Sequence, residues 1–445
     1  MSIYDLIVVG AGPGGYVAAE RAGAMGKDVL LIEKADMGGI CTNFGCIPTK
    51  SLLNSAKHYV IAKEGAKFGV HCSDVTFELT EAMAWKQDVV KTLRSGISFL
   101  MKKNHVDVVI GEASFTDRSH VTVDGTLYEG KNIIIATGSS PVIPPIPGVE
   151  NDIVMTSRQI LSIDHIPEKL VVIGGGVIGI EFSSLFSSVG SDVTVIEMLP
   201  EIMTMMDAEF SKLMRRELKN VTCKTSCRVE EILKDSVVYT DKKGKRQQIE
   251  ADVVLLSVGR RANTGGLKQL GLAIDRSGVV VDEKMQTNLP GVYAVGDVNG
   301  RSLLAHSASR MGEVAVSNMF GIPSIMRYHA VPWAVYTLPE AAGCGITEQE
   351  AKEKGIHVKC ASSQMRANGR FLAEHGRRSG GLCKIVADSD TNVILGIHLL
   401  GAVSSEMIHS ASVIIESELR VQDVKEIIFP HPSVSEIIKD VCFKL

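Results

Sequence analysis

The sequence predicts an α/β protein: two doubly wound units followed by a C-terminal α+β domain. Three observations carry this expectation. A short apolar run, YDLIVVG from Tyr4 to Gly10, opens a glycine-rich turn, and a helical pattern and a second run, KDVLLIEK, follow. The same order restarts at Lys169 in KLVVIGGGVIGIEFSSLFSSVGSDVTVIE, and Gly10 to Glu33 and Gly174 to Glu197 both span 23 residues. From about Arg327 the text becomes a mixture of strands and amphipathic helices with no third glycine turn. A strand–turn–helix–strand unit begins a parallel, doubly wound sheet.

The remaining elements follow in chain order. A periodic apolar stretch from Ala82 to Met101 predicts a helix. NIIIATGSSPVIPPIPG predicts a buried strand that ends in glycine and several prolines, where the chain crosses between domains. The second unit closes near LLSVGRRAN, and a linking stretch leads into GVYAVGDVNG. The expected division is 1–147 and 148–264 for the two units, 265–327 as a central segment completing the first, and 328–445 as a C-terminal dimerisation or substrate-contact domain. A chain of 445 residues has room for two to four domains.

Composition narrows the function. Hydrophobic content of 45% with 22% charged residues fits a soluble α/β enzyme rather than a disordered or fibrous chain. A net charge of −4 offers no attraction for nucleic acid or an anionic membrane. Trp85, Trp333 and twelve phenylalanines are too few and scattered to form a base-stacking surface. No apolar run approaches the ~20 residues needed to span a bilayer. The N-terminus opens directly on a strand pattern, so no secretory leader is expected. Nine cysteines, an odd number and scattered outside one pair, argue against a secreted disulfide framework; a reducing cytoplasm is the expected compartment.

Gly10, Gly12 and Gly15 form G-x-G-x-x-G directly after the first strand. The first permits the tight turn, the second lets a pyrophosphate approach the backbone, and the third lets helix and strand pack closely. The following helix offers free N–H groups and a partial positive charge to phosphates. Glu33, at the end of the next strand, is placed to bind ribose hydroxyls. One such motif is weak evidence, since ordinary glycine turns also match it. Here it recurs at Gly174, Gly176 and Gly179 with Glu197 in the matching place, and plain turns do not explain two matched acids. Two dinucleotide sites imply two cofactors. At the second, a carboxylate accepts from both ribose hydroxyls and repels a 2′-phosphate, and Met198 stands where a phosphate site would want arginine, so NAD is expected over NADP.

Cys41 and Cys46 lie in GGICTNFGCIPTKSL with four residues between them, so closing their loop costs little chain entropy. A zinc site would need two further ligands at matched spacing, and none is evident; no metal is expected. A helical pattern from Ile47 to Ser55 puts Cys46 near a helix N-terminus, where the dipole favours thiolate and makes the pair competent for exchange. Lys50, one turn further on, reads either as a solvated helix lysine or as a cation beside a flavin ring. Near the C-terminus, HPSVSE contains His431 and Glu436. Ser433 to Glu436 matches a capping box, which explains both residues without chemistry. A reactive dithiol also needs a base that works near neutral pH, which imidazole supplies, and a carboxylate to set its tautomer.

In order along the chain, Gly10-Ala-Gly-Pro-Gly-Gly15, Cys41-Thr-Asn-Phe-Gly-Cys46-Ile-Pro-Thr-Lys50, Ala136-Thr-Gly-Ser139, Gly174 to Glu181, Val295-Gly-Asp297 and His431-Pro-Ser-Val-Ser-Glu436 resemble the pyridine nucleotide–disulfide oxidoreductases. The resemblance spans essentially the whole length and is strongest to members that oxidise dihydrolipoamide. It implies FAD on the first turn and NAD on the second. It places Ala113 near the adenine of FAD, Thr137, Gly138 and Ser139 along its path, Asp297 at the ribityl chain and Ala305 at the isoalloxazine. Lys50 would sit by the flavin, paired with Glu181, and Val229 and Gly259 would join the NAD site. Cys41 would exchange with substrate while Cys46 faces the flavin. His431 would come from the partner subunit of a homodimer.

The implied partner is a lipoyl-bearing protein of a 2-oxoacid dehydrogenase or glycine cleavage complex, or a related carrier. The alternative is an NADH-dependent reductase of another disulfide, and the intact dithiol and base disfavour a non-catalytic scaffolding flavoprotein. The chain departs from the family pattern at Phe429, where another histidine is common. It departs again at Ser309-Arg310-Met311, where acidic residues are usual, and in the shorter helix expected after Glu436.

Overall fold

The computed structural model describes residues 3–445. Strands Leu6–Val9 and Val29–Glu33 are buried at every position. Continuous burial, without alternation, marks a parallel sheet covered on both faces. The two strands pair in parallel, and Asp107–Ile110 extends one edge. On the other side Ile133–Ile135 pairs with Leu6–Val9, and Val292–Ala294 completes the five-stranded sheet from a point beyond the second unit.

The second unit repeats the plan. Lys169–Ile173 pairs in parallel with Asp192–Ile196, followed by Val221–Lys224, while Val253–Leu256 and Val154–Thr156 extend the opposite side. An antiparallel sheet of Arg228–Ile232, Ser236–Thr240 and Arg246–Glu250 is inserted within it. The C-terminal part is a five-stranded antiparallel sheet in the order Trp333–Val335, Ala341–Gly345, Ile394–Leu400, Leu382–Asp388 and Val358–Gln364. Its side chains alternate between two cores: Leu382 and Leu400 face the second unit, whereas Cys383, Ile385, Ile397 and Leu399 face helices that include Ser404–Glu416 and Glu436–Cys442.

The helix expected from Ala82 runs Leu79–Lys103, and that expected from Ile47 runs Cys46–Glu64. The second outlasts its apolar pattern because it packs along the first, and Tyr59 is also set edge-on at 5.8 Å to Phe77, just before the first begins. Leu52, Leu53 and Ala56 bury themselves in the same core as Leu170, Ile180 and Phe182 of the second unit and Val335 of the C-terminal sheet. At about 1.5–3 kcal/mol per buried leucine, this wedge fixes the helix where three domains meet. A second tie is ionic. Lys384 Nζ lies 2.9 Å from Asp207 and 2.6 Å from Glu348, and Asp207 also accepts from Glu209 N–H at 3.1 Å to cap helix Ala208–Glu217. Buried pairs of this kind contribute more to register than to net stability.

Candidate active site

The glycines of each turn divide into three roles. Gly10 has φ +104° and Gly174 has φ +107°, and a Cβ there would strike Ala136 O at 2.3 Å or Ser257 O at 2.6 Å. Gly12 and Gly176 face open space. Both line one continuous cavity of about 2400 Å³, where a side chain would fill the ligand's volume. Gly15 and Gly179 lie behind the turns, each with a Cβ position within 2.2 Å of the first glycine's carbonyl oxygen. They are packing residues and do not line the cavity. The helices Pro13–Ala24 and Val177–Ser188 start at Gly12 and Gly176 without a side-chain cap, which leaves their first N–H groups for a ligand. The cavity exceeds the ~300–1,000 Å³ typical of a site for one small ligand, and its Cβ-free cradles fit two dinucleotides.

The matched acids do matched work. Glu33 accepts from Ala11 N–H at 2.7 Å and Ala35 N–H at 2.9 Å. Glu197 accepts from Gly175 N–H at 2.6 Å and Leu199 N–H at 2.7 Å. Each carboxylate ties its glycine turn to the chain just beyond its own strand. An ionised carboxylate has about four lone-pair sites, so ribose contacts add to these bonds. Ala113, Thr137, Gly138, Ser139, Asp297 and Ala305 line the same cavity near the first turn's side of the molecule, and Val229 and Gly259 line it with the second turn.

The dithiol sits in that cavity. Cys41 lies in helix Gly39–Phe44 and Cys46 is the first residue of Cys46–Glu64, with Gly45 between them lacking any side chain to compete for the helix N–H groups. The Cys41 hydrogen bond, helped by the Lys50 charge, pulls Cys46 down to about 7 against the opposing effect of burial. Cys41 is pushed far up by the same hydrogen bond and by burial. The pair therefore carries its first negative charge on Cys46. Lys50 Nζ lies 2.9 Å from both oxygens of Glu181, which is 3% exposed. The lysine is thus no solvated helix residue.

Several residues at the site were not expected from the sequence. Asn43, inside the dithiol loop, donates to Met37 O and Gly39 O and accepts from Arg94 at 2.8 and 3.1 Å, while Arg94 also pairs with Asp36 at 2.8 Å. Arg260 donates to Ser139 O at 2.7 Å and Ser139 Oγ at 2.8 Å, and Ser139 donates in turn to Asp297. Asn263 and Thr137 exchange two bonds at 2.9 Å. Apart from the two short bonds of Asn43 to Met37 and Gly39, these contacts cross more than fifty residues of chain, so no local pattern announces them. The only sequence signal is that polar residues stand in GRRAN and CTNFGC where a plain turn needs none.

His431 and Glu436 are brought to each other but not to the dithiol of the same chain. His431 Nδ1 lies 2.9 Å from Glu436 Oε1, and the imidazole is 82% exposed, outside the cavity. An ionised carboxylate only accepts, so Nδ1 carries the proton and Nε2 is free to accept one. The capping box is half realised. Glu436 accepts from Ser433 N–H at 2.8 Å, but Ser433 Oγ bonds Ser435 Oγ instead of closing the box, and the helix begins only at Glu436. Ser433 N–H and His431 together hold the Glu436 carboxyl below its usual range.

A thiolate-forming cysteine pair beside two dinucleotide cradles defines a nucleotide-dependent disulfide oxidoreductase. The family comparison agrees: residues 4–312 match the pyridine nucleotide-disulphide oxidoreductase model and residues 331–442 match that family's dimerisation domain, so the chain belongs to this family. It is an FAD-containing, NAD(H)-dependent enzyme. It is 38% identical to the dihydrolipoyl dehydrogenase of Bacillus subtilis, covering 97% of this chain and 94% of that protein. It is 46% identical to the dihydrolipoyl dehydrogenase of Acholeplasma laidlawii, covering 72% of this chain and 97% of the relative. Among solved structures, a Cu(II) complex of the HOCl-induced flavoprotein disulfide reductase RclA from Escherichia coli matches with TM-score 0.88 at 27% identity over 100% of both chains. Among the described residues no helix is long and apolar enough to cross a membrane.

Proposed function

We propose that this enzyme oxidises dihydrolipoamide to lipoamide through Cys41 and Cys46, with NAD⁺ as the final acceptor. The observation that carries this reading is the Cys46 sulfur, drawn toward thiolate by Cys41 and Lys50 in a cavity shared with both glycine cradles. Gly10, Gly12, Glu33, Ala113, Thr137, Gly138, Ser139, Asp297 and Ala305 would hold FAD. Gly174, Gly176, Glu197, Val229 and Gly259 would hold NAD. FAD, when bound, supplies a two-electron relay between the dithiol and the nicotinamide.

The protein's own groups perform the thiol chemistry. His431, with Nδ1–H given to Glu436, takes a proton at Nε2 from one substrate thiol. The resulting thiolate attacks Cys41 Sγ of the oxidised pair; a substrate–Cys41 bond forms, the Cys41–Cys46 bond breaks, and Cys46 leaves as thiolate. Once Nε2 has released the first proton to solvent, the second substrate thiol gives its proton to Nε2 and attacks the substrate sulfur of that mixed disulfide. The lipoamide ring closes, Cys41 leaves and takes a proton from the base. Two electrons then rest on the cysteine pair. Because His431 lies outside its own chain's cavity, the base is delivered by the partner subunit of a homodimer. The dithiol donor is a lipoyl-bearing protein of a 2-oxoacid dehydrogenase or glycine cleavage complex, in the reducing cytoplasm that the scattered free thiols fit.

A second reading, NADH-dependent reduction of another disulfide, is favoured by the whole-chain similarity to a disulfide reductase. One assay separates the two: NAD⁺ reduction by dihydrolipoamide, set against NADH oxidation by a panel of disulfides. Turnover of the panel without turnover of dihydrolipoamide overturns the first reading.

A further inference from the structure

The C-terminal domain reaches the redox centre through one short segment. Just past strand Trp333–Val335, Tyr336 N–H donates to Glu181 Oε1 and Leu338 N–H donates to Ser184 Oγ, both at 3.1 Å. The acceptors stand three residues apart on helix Val177–Ser188, and the donors are alternate residues of the docked segment. Two such bonds fix position and direction together. Glu181 is thereby held while it pairs with Lys50. The Tyr336 ring then covers the ammonium, with Lys50 Nζ 4.6 Å from the ring centroid and well inside the ~6 Å reach of a cation–π contact.

A lysine ammonium on a four-carbon stem reaches a fixed carboxylate from more than one rotamer. Among the described residues, the Lys50 ammonium has no hydrogen-bond partner besides Glu181. Glu181 alone therefore attracts the charge without choosing its place. The ring removes that choice, because only one side of the carboxylate also lies over its face. We propose that Tyr336 is a positioning residue: it seats the Lys50 ammonium where its charge holds Cys46 as thiolate, so the C-terminal domain sets the reactivity of a dithiol carried by another domain. This rests on Cys41 and Cys46 being the redox pair.

The groups facing Cys46 are Cys41, Lys50, Glu181, Tyr16 and Arg260. Those facing Tyr336 are Lys50, Glu181, Glu340 and Glu406. Glu340 is engaged by Lys57 at 3.9 Å and Ser405 at 2.8 Å, which leaves the Lys50–Glu181 pair as the route between ring and sulfur. Burial pushes the Tyr336 hydroxyl up, so the phenol stays neutral around neutral pH.

The test uses reduced holoenzyme in a Cys41→Ser background, which leaves one thiol in the loop and keeps a hydroxyl donor beside it. The pH profile of iodoacetamide labelling at Cys46, read by peptide mass spectrometry, gives the thiolate midpoint. Tyr336→Leu keeps the backbone N–H but removes the π face, and is expected to raise the midpoint by about half a pH unit. Tyr336→Phe should restore it. A series of increasingly fluorinated phenylalanines at 336 preserves the shape, carries no folding risk from lost packing, and should raise the midpoint in step with the weakened ring. An unchanged midpoint across that series overturns the role of Tyr336. Dihydrolipoamide turnover that survives in the Cys41→Ser parent overturns the redox-pair reading itself, so the two failures are distinguishable.

Discussion

The two glycine-turn units begin alike and end differently. Their first glycines share almost the same φ, +104° and +107°, and their acids tie down equivalent main-chain N–H groups. What differs is closure. The first unit is sealed by the distant strand Val292–Ala294 and by helix Ala305–Met319, which packs so closely on Pro13–Ala24 that a Cβ on Gly312 would lie 2.5 Å from Gly14 O. The second closes on its own strands, and Met198 beyond its acid is left exposed. Identical turns therefore do not make equivalent surroundings: the first lies under a strand and a helix from beyond the second unit, and the second does not.

The strongest way to break this comparison is to deform each turn in the same manner. Gly10→Ala and Gly174→Ala both place a Cβ against a backbone oxygen at positive φ, at a strain of roughly 1–3 kcal/mol before any clash. Gly10→Ala should yield protein without flavin colour, whereas Gly174→Ala should keep its flavin spectrum and fail to be reduced by NADH. Loss of flavin from both, measured on purified protein, would erase the distinction.

Next in size is His431→Ala, which belongs to neither unit. Removing the base should lower dihydrolipoamide turnover by about 10²–10⁴-fold. NADH reduction of the flavin and transfer to artificial one-electron acceptors should persist. A variant that turns over normally but melts earlier makes His431 structural, since a lost cap costs only about 0.5–2 kcal/mol.

Smaller again is nucleotide choice. The wild type should prefer NADH to NADPH by at least roughly tenfold, since a 2′-phosphate facing Glu197 meets like charge. Glu197→Ala should narrow that ratio without changing flavin content, whereas Glu33→Ala should lose flavin. Steady-state kinetics with both nucleotides, beside an absorbance spectrum, checks the pair. Equal use of both nucleotides by the wild type contradicts the assigned role of Glu197.

The smallest expected effect is a titration. With Cys46 drawn from the usual 9 to about 7, the two-electron-reduced enzyme should hold its thiolate above neutrality and lose it as pH falls through that value. The long-wavelength absorbance expected from a thiolate beside the flavin should fade with it. Cys46→Ser should abolish the band while flavin remains. A band that persists unchanged to pH 5 places the negative charge elsewhere.

The sequence made the turns, their acids and the dithiol legible because each is a local arrangement with a fixed spacing: a glycine where φ is positive, an acid one strand later, two thiols across a short loop. Lys50–Glu181 came only through resemblance, since nothing within either helix says that the two helices cross. Arg260, Arg94 and Tyr336 were invisible for the same reason, as their partners lie far along the chain. Ser433-Val-Ser-Glu436 shows the opposite fault. Its spacing matched a capping box, yet only the backward bond forms, because Ser433 Oγ bonds Ser435 Oγ instead.

The double grip of Glu197 has a practical consequence for engineering. The obvious way to retarget the second site to a phosphorylated nucleotide is to exchange this acid for something small or basic. Doing so also orphans Gly175 N–H and Leu199 N–H, at a cost on the order of 1–3 kcal/mol for each one that stays buried. Selectivity and the shape of the loop are written in one side chain. A successful redesign therefore starts by giving those two amides new acceptors, and only then adds the arginine.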